Sequence, residues 1–327
     1  MTDLHLGLKS NSVVHNNDCL EFMIWAADLG KKNGCDVCLF LGDYHNNLSS
    51  VNIMTLSYSL KILEHLSKTF DAVYFIPGNH DIYHRDRRDV QSLEWAKHIK
   101  NVVIVNDWYT SGDVTFAPWL IGDDFKKIKK LDSKYVFGHL ELPTFLMNAR
   151  ISMPDHGEVN LDDFSGAGHV FSGHFHKRQT NKNITYIGNC FPHNYSDVDD
   201  EERGVMILEW GKQPVYHAWP NQPTFSVKLL SDIVENPDKH LKKNANIRAN
   251  TDVELSYEEA AYVKETLFEQ YGLRELTFIE KKLSDINSDD TIDISFQSVD
   301  QIVFSQLNAI DSEKYDPKIL IELYKNL

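Results

Sequence analysis

Ala72-Val73-Tyr74-Phe75-Ile76-Pro77-Gly78-Asn79-His80-Asp81 is the stretch from which the rest of the chain can be read. Its first five residues are small, β-branched or aromatic, the composition of a short buried strand. Pro77-Gly78 supplies turn chemistry and ends that strand. Asn79, His80 and Asp81 then fall on a loop at the carboxyl end of a strand, where open α/β sheets place their ligands. An amide oxygen, an imidazole and a carboxylate in succession suit divalent metals and proton transfer. Taken alone, Gly-Asn-His-Asp reads better as a plain polar turn.

Four further clusters repeat the grammar of a Gly/Asp/His loop: Asp3-Leu4-His5, Gly42-Asp43, Gly138-His139 and Gly173-His174-Phe175-His176. Apolar runs at residues 37–41, 135–137 and 169–171 feed the last three as strands. Five such loops at one end of a sheet would pool Asp3, His5, Asp43, Asn79, His139, His174 and His176 around a single point. One loop of this kind is a weak signal; five in chain order point to a metal site.

The surrounding periodicity supports strands alternating with crossover helices. Residues 17–33 carry Leu20, Met23, Ile24, Ala27 and Leu29 broadly on one side, with Gly34 suited to a C-terminal cap. Residues 51–68 place Ile53, Leu56, Leu60, Leu63 and Leu66 at helical spacing. A helix is expected over 91–100 and strands over 102–105 and 114–118. Strands over 184–188 and 204–210 are expected in a second sheet. This order argues for an α/β fold. Asp3 follows only Met1 and Thr2, so no strand feeds the first motif. Either the start lies upstream, or the chain is truncated, or one edge of the sheet is unfilled.

A net charge of −15 argues against a general nucleic-acid binder. It leaves room for local phosphate contacts, with bound cations or a partner subunit supplying positive charge. Arg85, Arg87 and Arg88 lie in a charged segment read first as a solvated loop and second as a phosphate contact. Lys126, Lys127, Lys129 and Lys130 read as a solvated helix face first and a DNA contact second. The acidic run 197–202 reads as an exposed loop. Cys35 and Cys38 form a C-x-x-C, but Cys38 lies in an expected strand and no second pair completes a zinc site. The four cysteines, Cys19, Cys35, Cys38 and Cys190, form no framework, and a reducing cytoplasm is expected. No apolar run is long enough for a membrane span, and no secretory leader is evident.

The order D-x-H, G-D, G-N-H-D, G-H, G-H-x-H resembles the calcineurin-like metallophosphoesterase superfamily. Within it, the chain is similar to SbcD-type nuclease subunits of double-strand-break repair, most of all the short form carried by T-even-type phages. Asp3-Leu4-His5-Leu6-Gly7, Gly138-His139-Leu140-Glu141-Leu142, Ser172-Gly173-His174-Phe175-His176, Tyr186-Ile187-Gly188 and Arg203-Gly204 carry that likeness. The resemblance implies an α/β fold of four layers, two packed β-sheets flanked by helices, with a β-β-α-β capping domain and a C-terminal helical hairpin. The matching divisions are a nuclease domain at 1–222, a capping domain at 223–283, an acidic linker at 284–294 and a hairpin at 295–327. Within the capping region the residues themselves suggest strands at 225–230, 245–249 and 275–281. A helix is suggested at 256–271, opened by Ser256 and Glu259 at capping-box spacing. In the hairpin, Val299, Ile302, Val303, Phe304 and Leu307 make one apolar face, and Ile319, Leu320, Leu323, Tyr324 and Leu327 a second.

By the same resemblance the activity is Mn²⁺-dependent exo- or endonuclease cleavage of DNA. The implied partner is an SbcC-type ATPase whose coiled coil the hairpin grips, and a homodimer stays open. Carried over residue by residue, Asp3, His5 and His176 bind one divalent ion, and Asn79, His139 and His174 bind the other. Asp43 bridges both. His80 matches a histidine that binds no metal and acts as an acid or charge stabiliser, with Asp81 orienting its ring. Two departures stand out: Tyr44-His45-Asn46 after the bridging aspartate, where His45 is read as a substitute from the neighbouring position for the residue expected at Asn46, and Asn189 in place of a small hydroxyl residue. The competing reading is a stand-alone phosphatase or phosphodiesterase acting on something other than DNA.

Overall fold

The computed structural model describes residues 1–147, 151–155, 157 and 159–280. The expected acidic linker and helical hairpin lie outside the described residues. Met1–Lys281 forms one compact unit.

The chain enters extended, along the end of the first strand. The Met1 amine donates to Leu39 O, and the backbone N–H groups of Asp3, His5 and Leu6 donate to Gly42, Asp43 and Tyr44 at 2.9–3.0 Å. The residues of the first motif themselves therefore pair at that edge. A short turn of helix, α1 (Leu8–Asn11), leads into α2 (Val13–Lys32), whose N-terminus is capped by Ser12. Strand β1 (Val37–Phe40), α3 (Ile53–Thr69) and β2 (Ala72–Phe75) follow. A hairpin of β3 (Ile82–His84) and β4 (Arg87–Gln91) comes next, then β5 (Val102–Ile104). β1, β2 and β5 form a parallel sheet in the order β1-β2-β5.

The second sheet is built from β6 (Tyr109–Ser111), β7 (Val114–Ala117), β8 (Ser133–His139), β9 (Ala167–Gly173), β10 (Gln179–Asn181) and β11 (Ile184–Tyr186), in the order β10-β11-β9-β8-β7-β6. Helix α4 (Asp124–Ile128) joins β7 to β8. β7, β8, β9 and β11 run parallel, so the chain leaves β7, β8 and β9 at one end of the sheet. Leu41, Ile76, Phe116, Phe137 and Phe171 form a buried layer between the two sheets. Phe22, Met23, Leu63 and Leu66 of the helices cover the other side of the first sheet. Ile128, Leu140, Phe145 and Phe164 cover the far side of the second. These are the four layers of the expected fold.

Several local expectations change. Ile24, Ile53 and Leu60, placed on apolar helix faces by periodicity, are exposed. A 3₁₀ turn at Glu94–His98 replaces the helix expected over 91–100. β11 joins the sheet of β8 and β9, whereas β12 (Gly204–Ile207) pairs only with β13 (Val215–Ala218) in a separate ribbon. The capping region holds β14 (Thr224–Leu229), α5 (Leu230–Glu235), α6 (Pro237–His240), β15 (Ala245–Thr251), α7 (Tyr257–Tyr271) and β16 (Glu275–Glu280). Its strands are all parallel, and parallel neighbours need a crossover. α5 and α6 supply the one that the β-β-α-β pattern lacked. Leu230, Ile233, Ile247, Leu267 and Leu276 give it a core of its own.

Two charged segments are also less solvated than their composition suggests. Arg88 is 6% exposed and pairs with Asp124 and Asp107, while donating to the carbonyls of Trp119 and Asn106. It fastens the β3–β4 hairpin to the second sheet and is not placed to meet a phosphate. Asp197 is likewise buried, accepting from His193 N and pairing with Arg203. Among the described residues no helix is long and apolar enough to cross a membrane.

Candidate metal centre

The carboxyl ends of β1, β2, β8 and β9, together with the N-terminal segment, meet at one point. Three groups of side chains there bring their donor atoms within 4.8 Å of one another: Asp3 with His5 and His176; His5 with Asp43 and His80; Asp43 with His139 and His174. Asn79 joins the last group, its Oδ1 standing 3.1 Å from His139 Nε2 and 3.0 Å from His174 Nδ1. His139 Nε2 lies 3.4 Å from Asp43 Oδ2, and His5 Nε2 lies 3.8 Å from the same oxygen. The structure thus gathers all seven candidate donors, with Asp43 grouped with His139 and His174 on one side and with His5 and His80 on the other.

The convergence depends on unusual backbone. Asp3, His5, Asp43 and His174 all have left-handed φ, at 53°, 49°, 56° and 91°. Non-glycine residues there cost about 1–3 kcal/mol each and persist only where the surroundings hold them. Glycine makes room where the loops meet. A Cβ on Gly42 would lie 2.2 Å from His139 Nδ1, and one on Gly78 would lie 2.2 Å from Asp43 Oδ1.

Polar contacts outside the donor set aim it. Thr2 Oγ1 donates to Asp3 Oδ2 at 2.6 Å, and His174 N donates to the same carboxylate. His139 Nδ1 bonds Leu41 O at 2.7 Å, leaving Nε2 turned to the centre. His174 Nε2 bonds Glu141 at 3.0 Å, leaving Nδ1 turned to Asn79. Such partners fix the tautomer and orientation of metal-binding histidines. Glu141 had been noted only as part of a motif; its position two residues past His139 was the available signal. Trp119, which packs its ring 5.1 Å from that of His174, carried no such signal.

The electrostatics call for a cation. Burial holds His5 well below the usual imidazole range and pulls His176 down to about 3. Their Nε2 atoms nevertheless face each other at 3.2 Å. Neutral imidazoles are the metal-binding form, and two donors at about 2.0–2.1 Å from one ion sit roughly 3.0–3.4 Å apart. Burial, reinforced by Asp43, raises the Asp3 carboxyl to about 7. Burial also opposes ionisation of Asp43, but His139, His5 and His80 outweigh it and hold that carboxyl low. Burial opposes charge on His139 too; Asp43 overcomes it and pushes the ring up to about 9. Carboxylates, imidazoles and an amide crowded in this way fit divalent ions with mixed O/N ligation.

Two expectations need correction. Asp81 does not orient His80. Its carboxylate accepts from the backbone N–H groups of Tyr44, His45 and Gly78, so it clamps the Gly42-Asp43 loop to the Gly78-Asn79 loop. The His80 ring is held instead by Asn46 O, 2.8 Å from Nδ1. His45 cannot stand in for Asn46, because it is 1% exposed and bonded to Ser92 and Ser59 behind the loop. Asn189 is fully buried beside the site, its N–H on His176 O and both amide atoms of its side chain without a protein partner.

A model of calcineurin-like phosphoesterases matches residues 1–178, which contain every donor described above. The chain belongs to the calcineurin-like phosphoesterase family. As a member it is a metal-dependent hydrolase of phosphoesters, and the clusters around Asp43 are where divalent ions would sit. This phosphoesterase is also 24% identical to exonuclease subunit 1 of Enterobacteria phage T4, over 99% of its own length and 96% of the relative's.

Proposed function

We propose that this phosphoesterase is a Mn²⁺-dependent DNA nuclease, the cleaving subunit of an SbcCD-type complex that processes DNA ends in recombination. The observation that carries the reading is the gathering of these donors around Asp43, which groups with His139 and His174 and with His5 and His80, the His80 ring being tied back through Nδ1. Full-length similarity to an exonuclease subunit supports DNA as substrate and a second subunit as partner.

In this reading Asp3, His5 and His176 hold one ion, Asn79, His139 and His174 hold the other, and Asp43 is shared. When bound, such a pair supplies charge neutralisation at phosphorus and lowers the pKa of an attacking water. The chain's own residues do the rest. Asn46 O accepts from Nδ1–H of His80, which leaves Nε2 for the substrate. In the doubly protonated form, His80 delivers the Nε2 proton to the departing 3′ oxygen and is left neutral with Nδ1–H still on Asn46 O, or donates it in a hydrogen bond to a phosphoryl oxygen as charge develops. Asp81 keeps two of the metal-binding loops in register without touching the substrate. Leu41 O and Glu141 hold His139 and His174 in the tautomers that face the centre.

Digestion of linear duplex, hairpin and single-stranded DNA with Mn²⁺, beside bis(4-nitrophenyl) phosphate, tests the proposal. DNA cleavage that a chelator abolishes is expected. Hydrolysis of the small ester with every DNA left intact would assign the protein to a non-DNA substrate. For the partner, removal of residues 295–327 is expected to leave a Mn²⁺-active nuclease that no longer co-purifies with its ATPase; retained binding would contradict that assignment.

A further inference from the structure

A cavity of about 340 Å³ opens beside His176 and is lined also by Lys177, Arg178, Asp197, Asp200 and Arg203 among others. Arg203 is 2% exposed, yet only its Nη2 is engaged, with Asp197 and Asp200. Its Nε and Nη1 are buried with no partner among the described residues. Arg178 lays its guanidinium on the Tyr216 ring, 4.2 Å from the centroid, and donates from Nε to Ile187 O. Its Nη2 is also buried and unpartnered. Leaving guanidinium donors buried and unmet is costly unless a ligand meets them. Four of the five rim carboxylates are already paired: Asp199 with Lys228 and Glu201 with Lys242, both facing the capping region, and Asp197 and Asp200 with Arg203. The fifth, Glu202, lies within electrostatic reach of Arg178.

A guanidinium N–H gives a phosphate oxygen a charge-assisted hydrogen bond. Arg203 has Nε and Nη1 to offer and Arg178 has Nη2, one side chain locked by carboxylates and the other by an aromatic face, and both line this cavity. We propose that Arg178 and Arg203 form a second phosphate subsite, which holds the backbone phosphate next to the scissile one in a nucleic-acid strand. The inference rests on the phosphodiester-cleaving reading above and adds to it a reason for preferring a polynucleotide over an isolated diester. It also offers a way for a strongly acidic chain to receive DNA: positive groups beside the metal centre whose carboxylate neighbours, Glu202 apart, are already paired.

The test uses the full chain and short oligonucleotides in which one phosphate at a time is replaced by an uncharged methylphosphonate. Wild-type cleavage is expected to fall about tenfold to a hundredfold when one phosphate adjacent to the cut is neutralised, and much less elsewhere. Arg178→Met should lose a similar factor on the unmodified strand and lose nothing further at that same position. Arg178→Lys should recover part of the loss. Because Arg203 is deeply buried, Arg203→Lys is compared only after its thermal unfolding matches wild type. Uniform sensitivity along the strand, or an equal loss for Arg178→Met on DNA and on bis(4-nitrophenyl) phosphate, overturns the subsite while leaving the nuclease reading intact. A wild-type protein that cleaves the small ester but no DNA overturns both.

Discussion

The loops that follow β1, β2 and β9 and the turns of the β14–β15–β16 cap are both places where parallel strands hand over to the next segment, and they are built in opposite ways. In the first set, left-handed backbone falls on Asp43 and His174, and in the N-terminal segment on Asp3 and His5. In the cap it falls on Gly272 and Asn244, residue types that tolerate it. The metal-centre loops bury carboxylates and imidazoles against one another, whereas the cap buries Leu230, Ile233, Ile247 and Leu276. One region gathers strained backbone and buried ionisable groups at the candidate metal centre; the other follows local rules throughout. Departures from local rules concentrate at functional sites, so the contrast itself marks where the chemistry is.

Substitutions in the two regions should therefore separate activity from stability. The largest effect is expected from His80→Ala, which should lower phosphodiester cleavage by about 10²–10⁴-fold. Metal content and thermal unfolding should stay at wild-type values; loss of one equivalent of metal would make His80 a ligand. In the cap, Ile247→Ala should behave in the reverse way. It should remove about 2–5 kcal/mol of stability in denaturant unfolding, with hydrolysis of a small diester unchanged below the transition. A cap that unfolds without affecting the wild-type midpoint would show that the two regions are not one cooperative unit.

Asp81→Ala probes the seam between the two behaviours. It leaves the N–H groups of Tyr44, His45 and Gly78 without their acceptor, at about 1–3 kcal/mol for a buried group left unmet. It should lower both the unfolding midpoint and the affinity for metal. A variant with normal stability and normal metal affinity but slow turnover would return Asp81 to a role on His80. The smallest effect is expected from Ser256→Ala at the start of α7, about 0.5–2 kcal/mol from the lost cap, with cleavage untouched.

What could be read from the sequence followed the same divide. The strand-then-loop pattern picked out Asp43, Asn79, His139, His174 and His176, because those motifs sit directly after a short apolar run; Asp3 and His5, with no strand before them, were legible only through the repeated Asp/His loop chemistry. The capping box at Ser256 and Glu259 was equally local. The features that escaped are set by partners distant in the chain. Arg88 reads as a surface charge until Asp124 arrives 36 residues later to bury it. His45 reads as a candidate for the site until Ser59 and Ser92 claim both ring nitrogens. Asp81 adjoins His80 in sequence, yet its three backbone partners lie in two loops that only the folded sheet brings together. The short helices α5 and α6 were missed because six- and four-residue helices carry too little periodicity to register.

The central claim is that Asp43 sits between two metal positions built from separate loops. Anomalous scattering from crystals grown with Mn²⁺ tests it most directly. Two peaks are expected, one among Asp3, His5 and His176 and the other among Asn79, His139 and His174, with Asp43 touching both and His80 touching neither. A single peak under saturating Mn²⁺, or a peak coordinated by His80, would contradict it.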